Sequence, residues 1–284
     1  MIELSVVIPN YNSPFTSKTI QGILDNAGCE VEVIVNVEDK WPEPLIEDER
    51  VHYIHGSAPI GMRAGINKCV ALSKGKYIMK LDDHCMVGKN FGRILIESHQ
   101  PDWVQVPQRY ALNAEEWKIE ERTDDKYPIC QMYQDFPRKG KASDDGTHGV
   151  EWRQRRNETQ DQDLVESPSM QGSCWFMTKE RFFELGGFPL TDPYGHGQEP
   201  LWIALRNWLM GGKVMVNKNT WYAHLHQNSS ERGYPEDKAH TERTYNEVAK
   251  HFVENKGHYT HSFEWFVDKF YPMPSWPENW RELL

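Results

Sequence analysis

Short apolar runs and amphipathic stretches alternate along the first hundred residues. Ser5-Val6-Val7-Ile8-Pro9 is a β-branched apolar run that passes into the turn-rich Asn10-Tyr11-Asn12-Ser13-Pro14, which predicts a buried strand entering a loop. Thr16 to Ala27 puts Ile20, Ile23, Leu24 and Ala27 on one helical face, and Gly28 ends it. Val31 to Val37 predicts a second strand, so the chain opens with a βαβ unit. Val51 to Ile54 predicts a third strand, Met62 to Ser73 a helix, and Tyr77 to Leu81 a fourth strand that runs into Asp82-Asp83-His84. This order predicts a mainly parallel α/β sheet flanked by helices.

From about residue 101 to 166 the periodicity dissolves into polar sequence punctuated by Trp, Tyr and Pro, which predicts an irregular insertion of short strands and loops. Regularity then returns. Met170 to Met177 is strand-like, Lys179 to Leu185 helical, Glu199 to Met210 a helix stopped by Gly211-Gly212, and Val214 to Val216 a strand. Thr220 to His226 is extended, Gln227 to Pro235 a loop and Lys238 to Glu254 a helix. The aromatic tail (Phe263, Trp265, Phe266, Phe270, Tyr271, Trp276, Trp280) is expected to pack on the core.

Composition narrows the class. The 284 residues carry 32 Lys+Arg against 42 Asp+Glu, a net charge of −10, and 11 are Trp. A mean hydropathy of −0.73 with so many aromatics fits a folded, water-soluble globule. No apolar run reaches the roughly 18–20 residues of a membrane span. The start, Met1-Ile2-Glu3-Leu4-Ser5, lacks a signal peptide's basic region and cleavage site, which predicts a cytoplasmic protein. Five scattered cysteines, Cys29, Cys69, Cys85, Cys130 and Cys174, suit a reducing compartment. The acidic charge disfavours a bulk phosphate-backbone binder.

In open α/β sheets, ligands bind beyond the carboxyl ends of parallel strands, and Asp82-Asp83-His84 falls at such an end. Carboxylates and an imidazole there form half of a divalent-metal site. The plainer alternative is that the acids cap the next turn and His84 faces solvent.

Leu81-Asp82-Asp83-His84-Cys85 resembles the metal-binding strand end of GT-A glycosyltransferases, closest to the Asp-x-His-Cys form of the polypeptide N-acetylgalactosaminyltransferases. Ser5 to Pro9 with Asn10-Tyr11-Asn12 is similar to the first strand of family 2 glycosyltransferases. Ser167 to Ser173 through Phe182 to Phe188, Gly197-Gln198-Glu199 through Gly211-Gly212, and Tyr222 to His226 follow the N-acetylgalactosaminyltransferase blocks in order. The resemblance covers residues 4–90 and 165–235. It implies one GT-A domain: a nucleotide-binding half (1–100), the insertion (101–166), a donor and acceptor half (167–235) and a C-terminal helix with the tail (236–284).

Carried over position by position, the resemblance implies that Asp82, His84 and His224 ligate Mn(II) or another divalent cation. Mixed nitrogen and oxygen ligation suits Mn(II). Asp82 and Glu199 are the implied catalytic residues. Donor contacts are implied for Pro9, Tyr11, Glu38, Asp39, Arg63, Asp83, Gly172, Tyr194, Gln227 and Arg232. Glu38 and Asp39 match acids that meet uracil and ribose, with a solvated loop as the alternative. Arg63 starts a helix where guanidinium and dipole can face phosphate. Gln227 to Pro235 matches a lid over the diphosphate.

The chain also departs from its relatives. An arginine of theirs is Pro59 here, another is Gln227, and the Asp that serves inverting family 2 enzymes as base is Pro200. Pro200 in place of that base predicts a retaining transfer or a displaced base. The implied reaction moves a sugar from a nucleoside-diphosphate donor, UDP-linked, to an acceptor hydroxyl. A glycan, a lipid-linked sugar, a protein or a hydroxylated DNA base can supply that hydroxyl, with Arg153, Arg155 and Arg156 the local argument for DNA. Two rival readings are a non-catalytic sugar or nucleotide binder on the same fold and a sugar-nucleotidyltransferase. The second lacks its expected Gly-rich basic loop after the first strand.

Overall fold

The computed structural model describes residues 1–121, 128–136, 149–189, 198–227, 238–254 and 257–284. The N-terminal part follows the expected order: β1 (Leu4–Asn10), α1 (Thr16–Asn26), β2 (Val31–Val37), β3 (Val51–His55), α2 (Met62–Leu72) and β4 (Tyr77–Leu81). β5 (Cys85–Val87) and α3 (Phe91–Glu97) come next, then β6 (Trp103–Asn113) and β7 (Lys118–Ile119). β8 (Met132–Gln134) and β9 (Gly149–Glu151) form a separate hairpin, followed by α4 (Arg153–Glu158) and β10 (Leu164–Glu166). β11 (Cys174–Thr178), α5 (Lys179–Glu184), α6 (Glu199–Leu209) and β12 (Lys213–His224) complete the core, and α7 (Lys238–Val253), α8 (Phe263–Phe270) and α9 (Trp280–Leu283) the tail.

Along the sheet the strands run β10-β12-β6-β11-β4-β1-β2-β3, with β5 paired to β12 and β7 to β6. β1, β2, β3 and β4 are mutually parallel, whereas β11 runs antiparallel to both β4 and β6. From β1 the chain moves outward to β2 and β3, then returns to place β4 on the other side of β1. Connections leaving β1 and β4 in opposite directions open a crevice at their carboxyl ends. With right-handed crossovers the same reversal puts α1 and α2 on opposite faces. β1 and β2 are accordingly buried on both sides, and the buried Glu32 of β2 is matched by Ser5 of β1, whose Oγ donates to Oε1 at 2.6 Å.

The expected insertion proves to be only partly irregular. Trp103–Asn113 is an eleven-residue strand inside the main sheet, parallel to β12. Its polar residues disguise it. Gln105 is fully buried because its amide is matched: Nε2 donates to the Leu95 carbonyl at 3.1 Å, and Oε1 accepts from Asn217 at 3.1 Å and Ser98 at 3.1 Å. Pro107 has no N–H to give, and β12 bulges opposite it between Asn217 and Trp221. The bulge also joins into one strand the two extended pieces predicted at 214–216 and 220–226.

The tail packs as predicted at most of its rings. Phe263, Phe266, Phe270, Trp276 and Trp280 are buried, and Trp276 Nε1 donates to the Gln134 carbonyl at 2.8 Å, pinning the tail to the β8–β9 hairpin. Tyr271 is exposed. All five cysteines are free. Among the described residues no helix is long and apolar enough to cross a membrane.

Candidate active site

β4 ends at Leu81, and the chain turns at Asp82-Asp83-His84 before β5 pairs antiparallel with the end of β12, setting Cys85 opposite His224. His84 therefore arrives beside His224, 140 residues away in sequence. The His84 and His224 Nε2 atoms are 3.0 Å apart, and His224 Nε2 is 3.1 Å from Asp82 Oδ2. One ligand atom from each of Asp82, His84 and His224 lies within 4.8 Å of the other two. The sequence predicts this trio, and the fold brings it together.

Around the trio each side chain is held by a specific neighbour. His84 Nδ1 lies 2.7 Å from Asp83 Oδ1, which keeps the ring proton on Nδ1 and frees Nε2. Asp83 is itself fixed by Asn10, whose Nδ2 donates to Oδ2 at 2.9 Å. Lys80 Nζ donates to Asp82 Oδ1 and, at 2.7 Å, to the Gly172 carbonyl. Arg109 Nη2 is 3.1 Å from His224 Nδ1. Asp83 is thus an orienting residue for His84, a role the carryover to donor contact does not include. Sequence reasoning missed Lys80 and Arg109. The signal for Lys80 is an ammonium inside the apolar run Tyr77–Leu81, which only a buried partner tolerates.

Electrostatics follows from these contacts. Burial pushes the Asp82 carboxyl up, but the Lys80 ammonium and the His224 hydrogen bond outweigh it and hold it well below the carboxylate range. Burial pushes His224 down to about 3, with His84 and Arg109 adding to the effect. At His84 burial acts in the same direction, yet the Asp83 carboxylate prevails and raises it. An ionised carboxylate and two imidazoles converging on one point, with an aspartate behind one of them, make a donor set that fits a divalent cation of mixed nitrogen and oxygen preference.

Other predicted positions divide. Glu38 takes loop amides: Oε1 accepts from Ile60 N at 3.3 Å and Oε2 from Gly61 N at 3.2 Å, while Asp39 beside it is exposed. Arg63 lies on the inward face of α2 with Ile66 and Val70, is 1% exposed, and its Nε donates to Glu199 Oε1 at 2.9 Å. Glu199 opens α6 and is 4% exposed. Gly172 packs against Pro200, where a Cβ would come within 3.2 Å of the ring. Pro9 and Tyr11 are half-buried at the end of β1 and just beyond it, and Gln227 is half-buried past β12. Tyr194, Arg232 and residues 228–235 of the expected lid lie outside the described residues.

Nor do the three arginines of α4 form an open basic patch. Arg153 and Arg156 pair with Glu151 at 3.3 and 3.1 Å, and Arg155 sits over the Trp152 and Phe270 rings.

Residues 5–183 match the sequence profile of glycosyl transferase family 2. Over 168 residues, 58% of this chain, the sequence is 26% identical to a Drosophila melanogaster protein named as polypeptide N-acetylgalactosaminyltransferase 13, and spans 27% of its length. Among solved structures, GalNAc-T7 with UDP, GalNAc and Mn2+ superposes with a TM-score of 0.71 at 18% identity, over 96% of this chain and 58% of that one. Staphylococcus aureus TarS (residues 1–349) in complex with UDP-GlcNAc gives a TM-score of 0.53 at 11% identity, over 83% of this chain and 62% of that one. These likenesses establish the fold, which is GT-A.

Proposed function

The chain belongs to glycosyl transferase family 2, and from that premise we propose that it moves a sugar from a UDP-linked donor to an acceptor hydroxyl, with a divalent cation, Mn(II), at Asp82, His84 and His224. The observation that carries this reading is the convergence of those three side chains at the carboxyl-end crevice of the sheet. The names of GalNAc-T7 with UDP and Mn2+ and of TarS with UDP-GlcNAc support the donor class. Transferase activity of the EC 2.4 class goes with the family.

A divalent ion, when bound, supplies Lewis-acid stabilisation of the charge that develops on the departing diphosphate. The chain's own groups prepare that place. Asn10 and Asp83 set the His84 ring, and Lys80 ties Asp82 to the loop at Gly172. Glu199 is anchored by Arg63 through Oε1, so its second oxygen is left for a sugar hydroxyl and the side chain is held rather than free to swing. Pro200, where inverting relatives carry a base, accepts no proton. We infer from this pair that transfer proceeds with retention, the leaving phosphate taking the acceptor proton on the same face.

Release of nucleoside diphosphate across a panel of UDP-sugars, with the melting shift each donor produces, tests the proposal. A donor that raises the melting temperature and is turned over supports it. A donor that binds without release supports the non-catalytic reading, which rests on Pro59, Pro200 and Gln227.

A further inference from the structure

Lys80 stands out in its element. It lies between Met79 and Leu81, both fully buried, and its own side chain is 3% exposed. Such a lysine persists only if its ammonium is paired, and here Asp82 Oδ1 and the Gly172 carbonyl receive it. Asp82 therefore gives one oxygen to Lys80 and turns the other toward His224. Arg109 approaches from β6 on the other side, 5% exposed, and donates to His224 Nδ1, the atom that must carry the proton if His224 is to ligate through Nε2. Two of the three candidate ligands are thus already in contact with a cation.

We propose that Lys80 and Arg109 make the Asp82–His84–His224 site conditional, so that it holds a divalent ion firmly only together with a diphosphate. This rests on the reading of the trio as a metal site. Lys80 and Arg109 bring two positive charges to the candidate ligands Asp82 and His224 before any ion enters. A bare divalent cation would then sit beside an ammonium and a guanidinium with little solvent to screen the repulsion. A nucleoside diphosphate carries more negative charge than the ion carries positive, so the two together are attracted by the same cations that repel the ion alone. Lys80 and Arg109 are positioning residues: they act through Asp82 and His224. The consequence is that ion and donor enter together, and that the ion loosens once the diphosphate departs.

The test is an electron paramagnetic resonance titration of the whole chain with Mn(II), alone and with UDP, each variant first checked for a cooperative melt. Wild type is expected to bind Mn(II) alone weakly and about tenfold or more tighter with UDP. Lys80→Met should bind Mn(II) alone about tenfold tighter than wild type and gain less from UDP. Arg109→Met should shift the same way through the other ligand, and it carries the test with Lys80→Gln if Lys80→Met does not fold. Equal affinity of wild type and these variants for Mn(II) without UDP, or no effect of UDP on wild type, overturns the proposal. Asp82→Asn separates the two claims: if it binds Mn(II) in the presence of UDP as wild type does, the metal-site reading itself has failed.

Discussion

Arg63 and Glu199 illustrate how much one buried pair decides. The side chains are 2% and 5% exposed, so neither charge has water to fall back on. Glu199→Gln leaves the guanidinium facing a neutral amide, and we expect a loss of about 3 kcal/mol of stability, read as a drop in the denaturant midpoint. Donor affinity should fall with it while turnover stays measurable if, as proposed, Glu199 holds hydroxyls and does not take the acceptor proton. Proton NMR of the product should show the donor's anomeric configuration kept, whereas an inverted anomer with no turnover in Glu199→Gln would make Glu199 the base. At this scale the sequence was legible where a motif concentrates the signal, as in Asp82-Asp83-His84, and at His224, where the block order gives it away. It was not legible where the partner is distant. Nothing near Arg63 in the chain announces a carboxylate 136 residues on, and nothing near Arg109 announces His224.

Among the elements, β5 and the α3–β6 corner carry consequences beyond their size. β5 has three residues, yet its pairing with β12 brings His84 to His224. Gly88 follows it, where a Cβ would lie 2.9 Å from Trp221 Nε1. Gly88→Ala should therefore cost about 2 kcal/mol by overpacking and loosen Mn(II) binding in the same variant. Substitution at Gly211, where a Cβ meets nothing within 4 Å but φ is +80°, strains only the backbone and should leave the metal site as it is. At the α3–β6 corner, Gln105 Nε2 donates to His99 Nδ1 at 3.0 Å, so the ring has to stay neutral. Burial pushes His99 down to about 4. Its folded value is below the unfolded one, so the unfolded chain binds the proton first as pH falls. Stability is full above about 6.5 and declines toward 4, by about 3 kcal/mol for this group alone. Chemical denaturation at pH 7 and pH 4.5 should show that decline, and His99→Gln should flatten it. Period and turn chemistry revealed β1 to β4 and α1, α2 and α6 because each has one apolar face or none exposed. The same reasoning failed on β6, whose buried glutamine, arginine and proline mimic a loop until their partners on β12 are known.

The whole molecule gathers at one end of its sheet. β1, β4, β6 and β12 all deliver their carboxyl ends there, carrying Asn10, Asp82, Arg109 near the end of β6, and His224. Elsewhere the surface argues against a nucleic-acid acceptor held by bulk charge: the chain carries −10 overall, and the arginines of α4 are engaged with Glu151, Trp152 and Phe270. The central claim is that this crevice holds a divalent ion between three named side chains while it binds the donor's diphosphate. Crystals grown with Mn(II) and UDP, measured at the manganese edge, test it most directly. The account predicts one anomalous peak within about 2.0–2.6 Å of Asp82, His84 and His224, with the diphosphate on its open side. A peak elsewhere, or nucleotide bound in the crevice with no ion at these residues, would contradict it.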